Sequence, residues 1–404
     1  MAKIAVLGYG VVGSGTVEVF YKNKESLEKK AGQEMDIKYI LDVRDFNDSP
    51  YKDKFVKDFN VILNDPEVTV VAEVIGGLKP SYDFVKSSLE AGKSVVTSNK
   101  ELVAAKGAEL LAIAKEKNVN FFFEASVGGG IPIIRPLKEC LAGNEITEVM
   151  GIVNGTTNYI LTKMFEDGMD FTEALAKATE LGYAEADPTA DVEGLDAGRK
   201  VAIMATSAFH SQVKFSDVYT EGITKITAAD VNYAKEMGNV IKLIGIARNT
   251  SNGIEAGVYP MMIDKKHPLA TVRDSFNAVF VHGDAVGDTM FYGRGAGKLP
   301  TASAVVSDVV DEVKHMGKNI MASWDAEALP IGDFRDAVNR FFIRVRADAI
   351  TKDEIQKLFG DVTYVTAEGV DGELAFITSS MTEGSFADIT AKIDKIFSII
   401  RVAF

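Results

Sequence analysis

The 404-residue sequence contains one cysteine, Cys140, and only four histidines. A single cysteine cannot form an internal disulfide, and the sequence offers no cluster of cysteine and histidine that would bind zinc. No apolar run approaches the roughly 20 residues that a membrane-spanning helix requires. A basic and apolar leader is also missing before the first strand-like segment, so we expect a cytoplasmic protein.

Positive charge is scarce as well. Lys and Arg number 44 against 58 Asp and Glu, which gives a formal net charge of −14. Nucleic-acid backbones and anionic membranes bind clustered Lys and Arg, so we expect neither as a partner. Hydrophobic residues make up 47% and charged residues 25%, and a chain of this length is expected to form more than one hydrophobic core. Small molecules are therefore the expected ligands.

A glycine-rich turn follows the first apolar run. The run KIAVL predicts a strand that leads into GYGVVGSG, a G-x-G-x-x-G pattern at the start of a helix. Such a pattern binds dinucleotides: Gly8 would allow the tight turn, Gly10 the approach of a pyrophosphate, and Gly13 close packing of helix and strand. The helix that begins with Val11 and Val12 would present its first amides to the phosphates. The alternative is a turn that binds no ligand.

The second strand should supply the residue that contacts the adenosine ribose. We predict this strand over residues 36–45, DIKYILDVRD, with Asp42 inside it and Arg44 at its end. An acid favours the free 2′-hydroxyl of NAD, whereas an arginine accommodates the 2′-phosphate of NADP. The position of Arg44 favours NADP. The alternative is that Arg44 is only a solvated loop charge.

Strand-like and helix-like segments then alternate as far as VNFFFEASVGGG. This alternation predicts an α/β fold with a Rossmann-type, doubly wound parallel sheet, whose ligands lie beyond the carboxyl ends of the strands. We place Ile75, Ser98 and Lys100 in the cofactor site at these ends. Lys100 is also a candidate for contacting the substrate. Without this context, it would be interpreted as an ordinary lysine at a helix start.

The segment EASVGGGIP places Glu124 just before three glycines and a proline. One carboxylate with several exposed backbone carbonyls suits a hard cation better than zinc. The alternative is a plain hinge between domains, and composition alone favours the hinge.

The character of the sequence changes near Ile146, where no second dinucleotide motif follows. We predict a nucleotide-binding domain over residues 1–135 and an α+β substrate and dimerisation domain over 136–322. A helix from about Thr301 should return to the nucleotide domain and place Gly297 near the cofactor. Residues 323–337 are predicted to be a linker, and the βαββαβ pattern of residues 338–404 is ferredoxin-like.

The segment LGYAEADPTADVEGLDAGRK, residues 181–200, combines acids with a basic end. Asp196 and Lys200 stand four residues apart on one helix face. The helix continues into an apolar run, so this pair is more consistent with a cleft than with a surface ion pair. Glu185, Asp187 and Asp191 could bind the ammonium of an amino-acid substrate, and the alternative for them is a solvated acidic loop.

These motifs together resemble homoserine dehydrogenases. The segments GYGVVGSG, VVTSNKEL, EASVGGGIPI, IVNGTTNYIL, the acidic motif and GRGAGKLPTASAVVSD occur in the family's order and cover roughly residues 1–320. The remaining 65 or so residues resemble an ACT regulatory domain. The resemblance implies hydride transfer between NADP(H), or NAD(H), and L-aspartate 4-semialdehyde to give L-homoserine, a step towards threonine and methionine.

The resemblance also implies roles for individual residues. Lys200 matches the family's proton donor, Lys100 a second lysine at the reaction centre, and Asp196 a residue that holds the substrate and orients the lysines. The substrate contacts are expected to be Glu185, Asp191 and Gly155. Glu124 with the carbonyls of Val127, Gly129 and Ile131 matches a sodium-type site.

The C-terminal segment departs from the ACT pattern at the turn after its first strand. ACT domains that bind amino acids usually carry an Asp-x-Pro-Gly-like sequence at this turn. Residues 347–355, ADAITKDEI, contain neither proline nor glycine. Close approach of the backbone to a ligand is harder without them. We therefore expect this segment mainly to stabilise a homodimer or homotetramer, with weak or absent inhibition by threonine.

Two other functions compete with this interpretation. A semialdehyde dehydrogenase would need a nucleophilic cysteine near a histidine, but Cys140 lies in a segment, PLKECLAG, that is typical of an amphipathic helix, and we expect it in the core. A dinucleotide-sensing regulator would have the nucleotide and ACT-like domains without catalysis. The paired lysines and the acidic motif argue against such a regulator.

Overall fold

The computed structural model describes residues 1–321, 324 and 329–403. The chain divides into two compact units, one formed by residues 1–144, 202–215 and 293–328 and the other by residues 145–201, 216–292 and 329–404. Residues 322–323 and 325–328 are outside the described part, and the beginning of the predicted linker 323–337 lies among them.

The first unit contains a sheet whose strands alternate with helices. Its elements are β1 (Ala2–Leu7), α1 (Val11–Ala31), β2 (Met35–Leu41), β3 (Phe55–Val56), α2 (Phe59–Leu63), β4 (Val68–Glu73), α3 (Ser81–Glu90), β5 (Ser94–Thr97), α4 (Lys100–Glu116) and β6 (Phe121–Phe122). The strand order is β3-β2-β1-β4-β5-β6, and every pair is parallel. This confirms the predicted parallel Rossmann-like sheet.

Apolar runs account for this sheet. Strands β1, β4 and β5 are buried along almost their whole length, as is usual for parallel strands covered on both faces. The chain moves from β1 to β2 on one side and later to β4 on the other, which places the crevice for a ligand beyond the carboxyl ends of β1 and β4. The prediction for β2 was wrong at its end, because the strand stops at Leu41 and leaves Asp42 and Arg44 in the loop that follows.

A second set of elements follows along the chain. It comprises β7 (Ile146–Ile152), α5 (Gly155–Glu166), α6 (Phe171–Glu180), α7 (Thr189–Val192), α8 (Leu195–Phe209), β8 (Tyr219–Thr220), α9 (Ala228–Glu236), β9 (Asn239–Thr250), β10 (Gly253–Asp264), β11 (Phe276–Gly283), β12 (Gly287–Arg294) and α10 (Lys298–Lys314). The NGTT segment after β7 forms the N-cap and the first turn of α5.

Helix α10 packs against α1 within the first unit. A Cβ atom on Gly15 of α1 would lie 2.8 Å from the Lys298 carbonyl oxygen and 3.2 Å from the Ala302 Cβ, so the absence of a side chain allows the two helices to approach. Valines of α10 join the buried core of β1, β2 and α1. The helix begins at Lys298 rather than near Thr301.

The elements after residue 337 are β13 (Val338–Arg346), α11 (Lys352–Phe359), β14 (Val362–Val365), β15 (Glu373–Thr378), β16 (Met381–Thr382), α12 (Glu383–Thr390) and β17 (Ile396–Val402). The second sheet is mixed and follows the order β12-β11-β7-β9-β10-β17-β13-β15-β14. Strand β17 pairs in parallel with β10, Met261 with Arg401 and Met262 with Val402. The C-terminal strands therefore belong to the same sheet as β7 and β9–β12.

Buried ion pairs reinforce this connection. The Arg401 guanidinium of β17 binds Glu383 at 2.6 Å and Glu221 at 2.7 Å, and Arg344 of β13 binds Asp230 of α9 at 2.8 Å. Removing either arginine would leave buried carboxylates unpaired, which is costly. Within the described residues, every helix is too short or too polar to cross a bilayer.

Candidate functional site

The glycine-rich loop between β1 and α1 has the geometry of a dinucleotide-binding turn. Gly8 has a φ of +96°, and a Cβ atom on Gly13 would lie 1.9 Å from the Gly8 carbonyl oxygen. A Cβ atom on Gly10 would meet no atom within 4 Å, so the space beside it is open to a ligand. Gly10 precedes the first residue of α1, Val11, which is 68% exposed. The open side thus faces a helix N-terminus, which favours phosphate.

Asp42 and Arg44 lie together just beyond β2. The Asp42 carboxylate accepts a hydrogen bond from the Tyr9 amide at 2.8 Å, which fixes it beside the glycine-rich loop. Arg44 donates to both oxygens of Asp42, at 3.0 and 2.9 Å, and this contact lowers the pKa of Asp42 to about 2. Acid and arginine thus lie together beside the glycine-rich loop, and the arginine partly neutralises the acid.

A buried carboxylate connects two loops at the strand ends, and the sequence analysis missed it. Glu73 is fully buried and accepts hydrogen bonds from the Ile75 amide at 2.8 Å and from the Thr97 hydroxyl at 2.6 Å. Asn99 caps α4 and donates to the Gly77 carbonyl at 2.7 Å. These bonds hold the loop after β4 against the loop after β5. An acid inside the apolar run VVAEVI was the available signal.

Three of the predicted cofactor contacts, Ile75, Ser98 and Lys100, lie in or next to these loops. Lys100 is the first residue of α4 and is half-buried, and Ser98 stands two residues before it. Ile75 is 40% exposed and contacts the position where a Gly8 side chain would lie. Gly297, with a φ of +119°, precedes α10, whose first turn adjoins Gly15 of α1.

In the second unit, the acidic motif forms a compact hydrogen-bonded cluster around Lys200. The Lys200 ammonium donates to Asp196 Oδ2 at 2.6 Å and to the Val153 carbonyl oxygen at 2.7 Å. Lys200 and Asp196 are 9% and 5% exposed. The spacing of four residues on α8 brings the two side chains together, and the carbonyl at the end of β7 fixes the ammonium from another element.

Asn154 links this pair to Asp191, a role that the sequence analysis did not assign. Its amide nitrogen donates to Asp191 Oδ1 at 2.6 Å and to Asp196 Oδ2 at 2.9 Å. Its side-chain oxygen accepts from the Thr157 amide at 2.9 Å and so caps α5. Gly155 follows it, and a Cβ atom there would lie 2.8 Å from the Ser275 carbonyl oxygen. An Asn before a helix start signals a cap but does not reveal the two carboxylates.

The remaining acids of the motif are less enclosed. Burial raises the pKa of Asp191, against the hydrogen bond from Asn154. Glu185 is exposed on the loop between α6 and α7 and lies outside the hydrogen-bonded cluster of the described residues. The Thr156 hydroxyl donates to the Tyr183 carbonyl at 2.7 Å and anchors this loop to α5. The motif therefore supplies a fixed lysine, a buried carboxylate at Asp196, a half-buried one at Asp191 and exposed ones that include Glu185.

Glu124 has a structural function that the sequence did not predict. Its carboxylate accepts hydrogen bonds from the backbone amides of Ile133, Ile134 and Arg135. Asp308 of α10 accepts the Glu124 amide at 2.9 Å. The carboxylate thus binds backbone amides. The described residues contain no group of three His, Cys, Asp or Glu that could hold a metal.

The glycines after Glu124 are explained by close packing. A Cβ atom on Gly129 would lie 2.4 Å from the Gly295 carbonyl oxygen, and the Gly130 amide donates to the Arg294 carbonyl at 3.1 Å. Gly129 also has a φ of +55°. A side chain at this position would both strain the turn and collide with the backbone of residues 295–296.

Cys140 is exposed, so its predicted core position was wrong. It ends a short π-helix, Pro136–Cys140, of which only Pro136 and Leu137 are buried. The wider turn of a π-helix changes which residues face inward, and an amphipathic α-helix pattern does not describe it.

Comparisons with known proteins agree with these features. Residues 8–124 match the model for the homoserine dehydrogenase NAD-binding domain, and residues 132–310 match the homoserine dehydrogenase model. A homoserine dehydrogenase of Bacillus subtilis (strain 168) is 47% identical over 319 residues, 78% of this chain and 73% of that protein. The structure of a Thiobacillus denitrificans homoserine dehydrogenase is similar with a TM-score of 0.91 at 37% identity, covering 100% of this chain and 98% of that one. A hyperthermophilic archaeal homoserine dehydrogenase mutant in complex with NADPH gives a TM-score of 0.66 at 26% identity, covering 77% and 97%.

Proposed function

This chain belongs to the homoserine dehydrogenase family of NAD(P)-dependent oxidoreductases, and we propose that Lys200 exchanges the proton with its substrate. The enzyme interconverts L-aspartate 4-semialdehyde and L-homoserine, and the nicotinamide gives or takes the hydride when bound. The carbonyl oxygen gains negative charge during reduction and needs a proton or a cation. A buried lysine ammonium supplies both.

The hydrogen bonding of Lys200 is the observation that carries this proposal. Asp196 and the Val153 carbonyl hold the ammonium in place, and both acceptors favour its charged, protonated form. In the oxidation direction the same nitrogen would accept the proton of the homoserine hydroxyl. Asp196 would then orient Lys200 and contact the substrate.

The substrate's own charges suggest roles for the neighbouring acids. An amino-acid substrate carries an ammonium, which Asp191 and Glu185 can bind, and Glu185 is accessible without any rearrangement. Gly155 would line the same cleft, since a larger residue there would collide with Ser275. These assignments predict that replacing Asp191 or Glu185 raises KM for the amino-acid substrate more than it lowers kcat.

We propose NADP as the preferred nucleotide. Arg44 is 59% exposed in its side chain and already lies beside Asp42, where a 2′-phosphate would be recognised. Gly8, Gly10, Val11, Val12 and Gly13 would hold the pyrophosphate, and Ile75, Ser98, Lys100 and Gly297 would line the rest of the cofactor site. Lys100 is also proposed as the second lysine at the reaction centre.

A monovalent cation, Na⁺ in the first instance, is proposed at Glu124 and at the carbonyls of Val127, Gly129 and Ile131. Because Glu124 caps three amides, Glu124→Ala should destabilise the protein with or without the ion, and this variant alone cannot test the site. Replacing Na⁺ and K⁺ by choline at constant ionic strength is the cleaner experiment. We expect lower activity and a lower Tm in choline, and identical values would leave the loop as packing alone.

The segment 338–404 is proposed to be an ACT-like domain that supports oligomerisation. The nucleotide domain would then comprise residues 1–135, the substrate domain residues 136–322 and the linker residues 323–337. Its βαββαβ order and the strand order β17-β13-β15-β14 support a ferredoxin-like unit. Light scattering should show a dimer or tetramer. Threonine is expected to inhibit weakly or not at all, and strong inhibition would contradict this assignment.

A measurement of cofactor binding and turnover on the same variants tests the central proposal. Lys200→Ala should bind NADPH with wild-type affinity, measured by nicotinamide fluorescence, and fail to oxidise it with aspartate semialdehyde. Loss of both properties would indicate misfolding, and retention of both would refute the assignment.

A further inference from the structure

A buried cation in the second unit has no part in the catalytic cluster. Lys242 of β9 is 4% exposed, yet its ammonium is bound only by neutral acceptors, Asn158 Oδ1 at 2.9 Å and the Val272 carbonyl oxygen at 2.6 Å. In the described part of the chain no salt bridge involves this ammonium. A lysine ammonium has three protons, so one donor remains unused.

Leaving a buried charge without a counter-ion is costly. Burial lowers the pKa of Lys242 to about 8, although the negative charges of Glu166 and Asp274 act in the opposite direction. A bound anion would remove this cost. Buried, uncompensated cations beside a cavity are a feature of ligand sites.

Lys242 lines a cavity of about 210 Å³ between α5, β9 and the segment 265–273. Lys265 and Arg273 line it as well, and Glu166 is the one acidic residue in its wall. Glu166 is paired with Arg273 at 3.1 Å, which leaves an excess of positive charge from the two lysines.

The rest of the wall is mainly apolar. It is formed by Leu161, Phe165, Val240, Ile241 and Ala270, with hydroxyl groups from Thr162 and Thr271. A cavity of this volume has room for several waters or for an organic acid of a few carbons. A carbon chain is favoured against such a wall, whereas the more strongly hydrated phosphate is not.

We propose that this cavity binds a small aliphatic carboxylate through Lys242, Lys265 and Arg273, with the carbon chain against Leu161 and Phe165. The site is separate from the substrate cluster but shares helix α5 with it. Asn158, which binds Lys242, donates to the carbonyls of Asp274 and Phe276 at 2.9 and 3.1 Å. An occupant would therefore fix the segment that also supports Gly155.

Calorimetric titration of the full-length protein with sodium butyrate, against sodium chloride at equal ionic strength, tests the proposal. Wild type should bind saturably. Lys242→Met should weaken binding about tenfold or more, the value of one hydrogen bond to a charged group. Lys357→Gln, which removes an exposed lysine of α11, should leave it unchanged.

Two further arms keep the result decisive. Lys200→Ala should retain butyrate binding, which would show that this cavity is distinct from the substrate site. The test then does not depend on the catalytic role proposed for Lys200. If Lys242→Met does not fold, the double variant Lys265→Gln/Arg273→Gln should show the loss instead. No saturable binding to wild type, binding of inorganic phosphate alone, or equal loss in Lys357→Gln or Lys200→Ala would overturn the proposal.

Discussion

The amide nitrogen of Asn154 lies 2.9 Å from Asp196 Oδ2. The same oxygen accepts the hydrogen bond of the Lys200 ammonium, so amide and ammonium share one acceptor and fix the orientation of the carboxylate. The helix cap of α5 and the proposed proton donor on α8 are thereby parts of one network.

Lys200→Ala should lose roughly 10²- to 10⁴-fold in kcat, the usual contribution of a positioned acid–base group. Steady-state oxidation of NADPH with aspartate semialdehyde measures this. Lys200→Arg should not restore the rate, because a guanidinium keeps its proton at accessible pH. Wild-type kcat in the alanine variant would show that another group moves the proton.

Asn154→Ser should separate the cap of α5 from the contacts to the acids. Serine caps a helix about as well as asparagine, so the Tm should change little. The two amide hydrogen bonds to Asp191 and Asp196 are lost, and we expect kcat/KM to fall about tenfold or more. Thermal scanning and kinetics on the same sample distinguish the two effects. A matched fall in stability would mean that the amide acts only in folding.

Arg44→Ala should raise KM for NADPH about tenfold, the size of one charge-assisted hydrogen bond, and leave KM for NADH nearly unchanged. Asp42→Asn should act in the opposite direction, because it removes an acid that repels a 2′-phosphate. We expect it to lower KM for NADPH relative to KM for NADH. Equal effects of Arg44→Ala on both nucleotides would leave this arginine as a surface charge.

Glu312 of α10 should make the protein less stable as the pH rises. Burial raises its pKa to about 8, above the ordinary value of 4.5. Between these values the native state retains a proton that the unfolded state has lost, so stability falls with pH by up to about 1.4 kcal/mol per unit. Glu312→Gln should therefore raise the Tm at pH 8 and have little effect near pH 5.

Glu116→Gln is the control for this pH dependence, because the carboxyl group that it removes is exposed. A gain in Tm for Glu312→Gln that is the same at both pH values would show that packing, and not titration, causes it.

Arg401→Leu should destabilise the protein by about 3–5 kcal/mol, because it leaves Glu383 buried without its partner. Denaturant unfolding gives this value.

Cutting the chain after Pro330 should lower thermal stability or change the assembly more than it changes kcat. A truncated chain that unfolds at the wild-type temperature would contradict the structural connection through β17.

The parts of the molecule that local patterns determine were predictable from the sequence. The glycine spacing and the alternating apolar runs indicate the parallel sheet, and four residues of separation on a helix bring Asp196 to Lys200. The bonds from Asn154 could not be predicted, because they join residues that are 37 and 42 positions apart in the sequence and lie on different elements. The convergence of three backbone amides on Glu124 could not be predicted either, because it depends on how the chain folds back over residues 133–135.

The parallel pairing of β10 with β17 has a consequence for synthesis of the chain. About 130 residues separate the end of one strand from the start of the other. At the usual 5–20 residues per second, a ribosome needs roughly 7–26 s to cover this distance. During that interval the edge of β10 at Met261 and Met262 lacks its native neighbour, and a chaperone, or β10 from another ribosome's nascent chain, could bind it.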